Sequence, residues 1–293
     1  MKKIILLFFF LSIAFSVFTQ ENSISDYIKI NEHVSKIKIT DFYFQTGTNF
    51  QPYTSGRIQQ FGKLVPNSQI LNLLPTFPMT LSVGYNNNIP ISLIAGFKLR
   101  NKKKTGYKER TELRIGFDYY SSYILGSAYG NYKKTTYDTI ANLYGQPTPV
   151  DSTESTRCVI SYSSIRLRFN GSMIYRTELE GRWSFFSGYG IAAGININHT
   201  DLYYQNRIGD GLGNYSDTAL QEHFRNKNNF GFSVFAPAGF DFRMGNERVF
   251  WKSIHLFYEF RLGADYSFIP ELKKTIISPY FQNRFGVRVS FTR

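Results

Sequence analysis

Apolar residues recur at every second position over long stretches of this chain, and few folds tolerate that pattern. Within "RWSFFSGYGIAAGININ", residues 182–198, Trp183, Phe185, Tyr189, Ile191, Ala193, Ile195 and Ile197 share one face of an extended segment. Gly188, Gly190, Ala192, Gly194, Asn196 and Asn198 share the other. A period of two is the strand signal. The same alternation sets Ile165, Leu167, Phe169, Met173 and Tyr175 against Arg166, Arg168, Asn170, Ser172 and Arg176. It sets Phe232, Val234, Phe240 and Phe242 against Ser233, Phe235, Gly239, Asp241 and Arg243, and Leu256, Tyr258, Phe260 and Leu262 against His255, Glu259, Arg261 and Asp265. Leu113, Ile115, Phe117 and Tyr119 oppose Arg114, Gly116 and Asp118, and Phe285, Val287 and Val289 oppose Gly286, Arg288 and Ser290.

A soluble sandwich also alternates, with its polar face outside. Two features argue for the reverse arrangement. The periodic runs commonly reach 12 to 20 residues, against about five or six in ordinary sheets. Their apolar faces also carry aromatics near the ends, as at Trp183, Phe185, Tyr175, Phe250 and Tyr266, and aliphatic bands with aromatic girdles suit a bilayer. Aromatics make up 17% of the 293 residues. Eight strands are expected near 36–46, 79–99, 111–141, 155–177, 182–203, 229–243, 249–267 and 279–293. "NNNIP" at 86–90 leaves open whether the second is one strand or two, and so whether there are eight strands or ten. Connections at 100–110, 178–181 and 244–248 are compact, whereas those at 47–78, 142–154, 204–228 and 268–278 are longer. Short turns on one side and long loops on the other define an all-β, antiparallel, up-and-down transmembrane barrel with long extracellular loops. In the first long loop, Ile58, Phe61 and Leu64 break the strand period and predict a short amphipathic helix ended by Pro66. Asn67 or Ser68 then caps a second one reaching Leu74.

The ends agree with export. "MKKIILLFFFLSIAFSVFTQ" has two lysines followed by an apolar core too short to span a bilayer, the form of a leader peptide. The expected organisation is a cleaved signal peptide at 1–19, a short periplasmic segment at 20–35 and a barrel domain at 36–293. No later segment has eighteen uninterrupted apolar residues, so helical spans are excluded. One cysteine, Cys158, allows no internal disulfide. The net charge of +13 is spread along the chain, and its one dense run, "RNKKKTGYKER" at 100–110, reads as a solvated turn. Nucleic acid is not an expected partner of an exported chain.

A bore of eight strands is only wide enough to be filled by side chains. The expected filling is an ion-pair network of Arg114, Asp118, Arg166, Arg168, Asp241, Arg243, Glu259, Arg261, Asp265 and Arg288, with Gly188, Gly190 and Gly194 making room for the long arginines. No catalytic, cofactor or metal residues are assigned. Of the four histidines, His33 precedes the first strand, His223 lies in a loop, and His255 points inward. His199, with Asp201 and Ser163, is the conceivable set for a rim enzyme, but its spacing is not diagnostic. "GDGLGNYSD" at 209–217 has no helix after it and is no phosphate loop.

Through the leader, the hairpin "SSIRLRFNGSMIYRTELEGRWSFFSGYGIAAGI" and the last strand "NRFGVRVSFTR", the chain resembles small outer-membrane β-barrels of Gram-negative bacteria, the OmpA-like and PorT-like eight-stranded group. That resemblance implies outer-membrane lipid and lipopolysaccharide as surroundings and the barrel-assembly machinery as a partner during insertion. In that group the last strand ends on an aromatic; here Phe291 is followed by Thr292 and Arg293. The functional expectation is a non-enzymatic, plugged barrel acting in envelope structure, surface binding or a secretion assembly. An outer-membrane enzyme, protease or lipid-modifying, and a narrow pore are the alternatives.

Overall fold

The computed structural model describes residues 37–291 except 75–78, 81–84, 100–110, 142–143, 145–146, 178–180, 210–214 and 246–248. The expected leader and periplasmic segment lie outside these residues, as does His33. Eight strands close into an antiparallel ring. They are β1 (Ile37–Pro52), β5 (Ile91–Leu99), β6 (Thr111–Ala141), β7 (Pro147–Arg176), β8 (Trp183–Gly209), β10 (Asn229–Arg243), β11 (Ile254–Ile269) and β12 (Lys274–Ser290). Each pairs with its neighbour in that order, and β12 returns to β1 with Asp41 opposite Ser290 and Phe50 opposite Phe281. No sheet edge is left inside the ring, which is the condition for a sheet to cross lipid.

The remaining strands are accessory. Tyr85–Asn88, β4, pairs with the outer end of β1 (Pro52 to Asn49), and β5 continues down the same strand from Thr46 to Ile37. "NNNIP" is therefore an interruption at Ile89–Pro90 within one line of pairing, and the strand count stays at eight. Thr54–Ser55 (β2) and Met79–Thr80 (β3) lie along β6. Tyr215–Arg225, β9, pairs with the outer half of β8 from His199 to Gly209, and β10 takes over from Asn196 down to Trp183.

The face assignment follows lipid. Odd-numbered residues of β8 point out, and Ile191 is 58% exposed while Ala192 is buried. Phe117, Leu167, Phe169, Ile195, Leu262, Ile277 and Phe285 are likewise exposed around the ring. So continuous an apolar band is not compatible with water. Aromatics gather at its rims: Trp183 lies 4.6 Å from Phe242 and 6.0 Å from Phe240. Exposed Phe250 and Trp251 pack on each other, ring centroids 5.2 Å apart, on the short helix Val249–Ser253 between β10 and β11. Among the described residues no helix is long and apolar enough to cross a membrane; the strands do so instead.

Beyond the belt, the long connections are mostly paired strand. β6, β7 and β8 run 31, 30 and 27 residues, roughly three times the 9–11 residues needed to span a bilayer. Much of 142–154, 204–228 and 268–278 thus belongs to hairpins, in which both faces are free of lipid and the apolar alternation fades. Together with β9 these strands form a sheet standing outside the membrane.

The first loop folds over the mouth. Ile58–Leu64 (α1) and Gln69–Asn72 (α2) form as the local sequence predicts. Ser68 caps α2, its Oγ accepting from Leu71 N at 3.1 Å. Phe61, Leu64, Ile70 and Leu74 bury against Ile124, Leu125, Ile160, Tyr162 and Leu202 in one apolar cluster. Two contacts fasten the loop to the outer sheet. Glu222 of β9 accepts from Gln69 N at 2.9 Å and Ile70 N at 3.3 Å, and Asn226 Nδ2 donates to Leu64 O at 2.9 Å. A carboxylate at the start of α2 also meets the positive end of the helix. Cys158 lies within this cluster, outside the belt, and burial pushes its thiol up to about 12. At neutral pH it stays protonated and shielded, so a maleimide should label the urea-unfolded chain and leave the folded barrel unmodified. Rapid labelling of folded protein would show that the lid does not cover this core.

Candidate functional site

Below the lid the bore is polar and full. Inward positions of the strands carry Arg114 and Asp118 (β6), Arg166 and Arg168 (β7), Asp241 (β10), Glu259, Arg261 and Asp265 (β11) and Arg288 (β12), all buried. Arg243, at the periplasmic end of β10, is half-buried. Four further charged residues join them: Asp41 on β1, Glu112 on β6, Arg176 at the end of β7 and Arg284 on β12. Glu112 and Arg284 lie two and four positions before Arg114 and Arg288 on the same faces, so continuing the period would have found them; Arg176 already stood on the polar face of its strand, and no run of charges on β1 pointed to Asp41.

The charges alternate along one continuous path. Arg288 reaches Asp41 at 3.6 Å and Asp241 at 2.9 Å. Asp241 also pairs with Arg176. Arg176 meets Glu112 at 2.8 Å, Glu112 meets Arg114 at 3.4 Å, and Arg114 meets Glu259 at 2.7 Å. Glu259 continues to Arg261 at 2.5 Å, which reaches Asp118 at 3.1 Å, and Asp118 ends on Arg284 at 2.8 Å. Neutral groups brace this path. Tyr43 O–H donates to Glu112 Oε1 at 2.5 Å and accepts from Arg176 Nη2 at 2.9 Å. Ser92 donates to Asp118. Aromatic faces cover the guanidinium planes, with Arg114 4.3 Å from the Tyr43 ring, Arg176 5.0 Å from Phe186 and Arg261 4.6 Å from Phe235. Nearer the mouth, Arg166 and Arg168 form a separate group around Asp265.

Glycine serves this packing in two ways. A Cβ on Gly190 would fall 2.4 Å from the Phe235 ring, and one on Gly231 within 2.3 to 2.7 Å of the Arg168 guanidinium. Gly188 and Gly194 instead face backbone, where a Cβ would lie 2.1 Å from Met173 O and 2.0 Å from Leu167 O. Room for an arginine head is therefore made on β10 by Gly231. On β8 the glycines let neighbouring backbones and one aromatic ring come close.

The conceivable rim set does assemble, on the outward face just beyond the belt. Ser163 Oγ lies 2.8 Å from His199 Nε2, beside a cleft lined by Asn88, Ser121, Ser122, Tyr123, Ser163 and His199. Asp201, however, approaches the same nitrogen, Nε2, at 3.5 Å, and its other oxygen is 2.5 Å from His223 Nδ1. A base that activates serine needs its second nitrogen held by the carboxylate, and the described residues place none there. His255 is buried against Arg288 and Asp241. Among the described residues no three His, Cys, Asp or Glu side chains group as a metal site.

A closed ring of eight strands, an apolar belt with aromatic rims and a filled bore define a small outer-membrane β-barrel. No protein family and no curated protein matches the chain. Among solved structures it is similar to Neisserial surface protein A, at 14% identity and a TM-score of 0.32, over 85% of this chain and 97% of that one. It is also similar to Ail, the attachment invasion locus protein of Yersinia pestis, at 9% identity and a TM-score of 0.26, over 86% and 99% of the two chains. One of the Ail structures holds the heparin analogue sucrose octasulfate. The fold assignment rests on the ring and the belt, and these alignments carry no more than a likeness.

Proposed function

We propose that this chain is a non-enzymatic outer-membrane barrel with a plugged interior, whose work is done by the sheet it holds outside the membrane. It reaches that membrane by export with residues 1–19 removed, is inserted by the barrel-assembly machinery, and sits among lipopolysaccharide. The observation that carries this reading is the contrast between bore and rim. The bore is occupied by buried arginines and carboxylates under an apolar lid, while β6, β7 and β8 continue far past the belt and, with β9, present a broad paired sheet. Surface binding or attachment to an envelope assembly is the role such a sheet serves.

The test has two arms. In planar bilayers the purified protein should give no unitary conductance, and stable channel steps would replace this reading with a pore. In intact cells, a photo-crosslinker at exposed Tyr132 or Leu220 should capture a defined partner, and one at belt residue Ile195 should capture only lipid or barrel neighbours. Equal yields at rim and belt would count against the sheet as the binding surface.

A second reading, ester or peptide hydrolysis at the rim, draws on the 2.8 Å contact between Ser163 and His199. The expected result is that a fluorophosphonate probe leaves the folded protein unlabelled. Labelling of wild type but not of Ser163→Ala would establish a reactive serine and make this the better reading.

A further inference from the structure

The lower charge path is balanced: Arg288, Arg176, Arg114, Arg261 and Arg284 alternate with Asp41, Asp241, Glu112, Glu259 and Asp118, five against five. The upper group is not. Arg166 and Arg168 share Asp265 alone, two against one. Arg166 pairs closely with Asp265, whose carboxylate also accepts weakly from Tyr120 O–H, and Arg168 stands 3.8 Å from it. The uncompensated charge therefore falls on Arg168, which is 1% exposed. The next acid toward the rim, Glu271 in the turn after β11, accepts from the backbone N–H of Lys227 at 2.7 Å through Oε1 and keeps a buried Oε2 unmatched.

Unmatched buried donors occur along the bore, Arg114 Nη2 and Arg288 Nε among them, and two fall on Arg168. Arg168 Nη2 donates to Asn196 Oδ1 at 2.9 Å, but its Nε and Nη1 meet no acceptor among the described residues. With its oxygen so used, Asn196 also has an unmatched Nδ2, and it is fully buried. Asn170, one row toward the periplasm on the same face of β7, is buried with both its Nδ2 and its Oδ1 unmatched. Unmatched donors on Arg168 and Asn196 beside one surplus positive charge call for an acceptor, and a neutral one, such as Asn170 Oδ1, leaves the charge in place. Burying an unpaired charge is among the most costly arrangements a protein interior holds.

We infer that the outer half of the bore binds one small monovalent anion, of the halide class, against Arg168, Asn196 and Asn170. One negative charge balances the group; a divalent phosphate or sulfate overshoots it. The Arg168 head packs against Gly231, and the apolar lid of α1 and α2 closes the mouth above, so a lipid headgroup is too large to enter.

The test uses the full folded barrel in zwitterionic detergent at constant ionic strength, with sodium gluconate replaced stepwise by sodium chloride. The unfolding midpoint of wild type should rise and saturate with chloride, as for a ligand bound only by the folded state. Crystals soaked in bromide should show an anomalous peak beside Arg168. Arg168→Gln should lose the chloride response. Because that variant risks misfolding, Asn196→Asp is the second probe: it keeps an acceptor for Arg168 Nη2 and supplies the missing negative charge. It should fold, match or exceed wild type in gluconate, and be indifferent to chloride. A wild-type midpoint that ignores chloride, an unchanged response in Asn196→Asp, or bromide soaks with no peak at Arg168, would each overturn the assignment and leave the donors to water.

Discussion

Glu112→Ala should destabilise the folded barrel by about 3–5 kcal/mol, the cost of breaking a buried ion pair from one side. The carboxylate holds Arg176 at 2.8 Å, Arg114 at 3.4 Å and the Tyr43 hydroxyl at 2.5 Å. Its removal leaves Arg176 to Asp241 and Arg114 to Glu259, puts the path one negative charge short in a bore the arginines cannot leave, and takes the acceptor from the Tyr43 hydroxyl. Glu112→Gln keeps an acceptor in place and should cost less. Reversible urea unfolding in lipid vesicles, followed by the slower gel mobility of the unfolded chain, measures both. The surface pair Lys134 and Asp151, 2.7 Å apart on the outer sheet, is the natural control: exposed pairs contribute little, and Lys134→Ala should leave the midpoint unchanged. If Glu112→Ala behaved like that control, the bore would have to be open to water, and the plugged-interior reading would fall with it.

Ile191→Arg should lower stability in bilayers by about 2–4 kcal/mol, as expected for a cation forced onto the lipid face near mid-membrane. The residue next to it separates this effect from packing. Ala192 faces the bore, where it meets Phe235 and Tyr280 in a small buried cluster. Ala192→Leu should therefore act by overpacking, by about 1–3 kcal/mol, and should do so equally in detergent and in lipid. Ile191→Arg should lose much of its effect in detergent, where the long side chain reaches water. If the two variants exchanged these signatures, the face assignment of β8 would be reversed along its whole length, since a shift of one residue turns every side chain over.

How far the sequence discloses this structure depends on which solvent each face meets. Where one face touches lipid and the other an enclosed polar bore, alternation is enforced at every step, and residues 182–198 read correctly residue by residue. The lid was also legible, because Ile58, Phe61 and Leu64 change the period and Ser68 is a strong cap. Beyond the belt no lipid enforces the alternation and the inner face is apolar only under the lid, so residues 204–209 of β8 and all of β9 read as loop. The bore was legible as a composition and not as a wiring diagram. Arg114 and Glu259 are 145 residues apart, and which arginine meets which carboxylate follows from the stagger of the closed ring, which no local pattern encodes. The glycine face shows the same limit. That something bulky must lie opposite Gly190 follows from sequence, but that it is the Phe235 ring, with the Arg168 head set against Gly231, does not.

The seam between β1 and β12 has a consequence for assembly. Asp41 sits opposite Ser290, so the first ring strand shares its ladder with the last. Until the final segment arrives, the earliest one keeps a row of bare amides and carbonyls, and every guanidinium inside stays wet. Ring, filling and lid must then mature together, late and all at once, which favours slow, cooperative insertion over strand-by-strand threading.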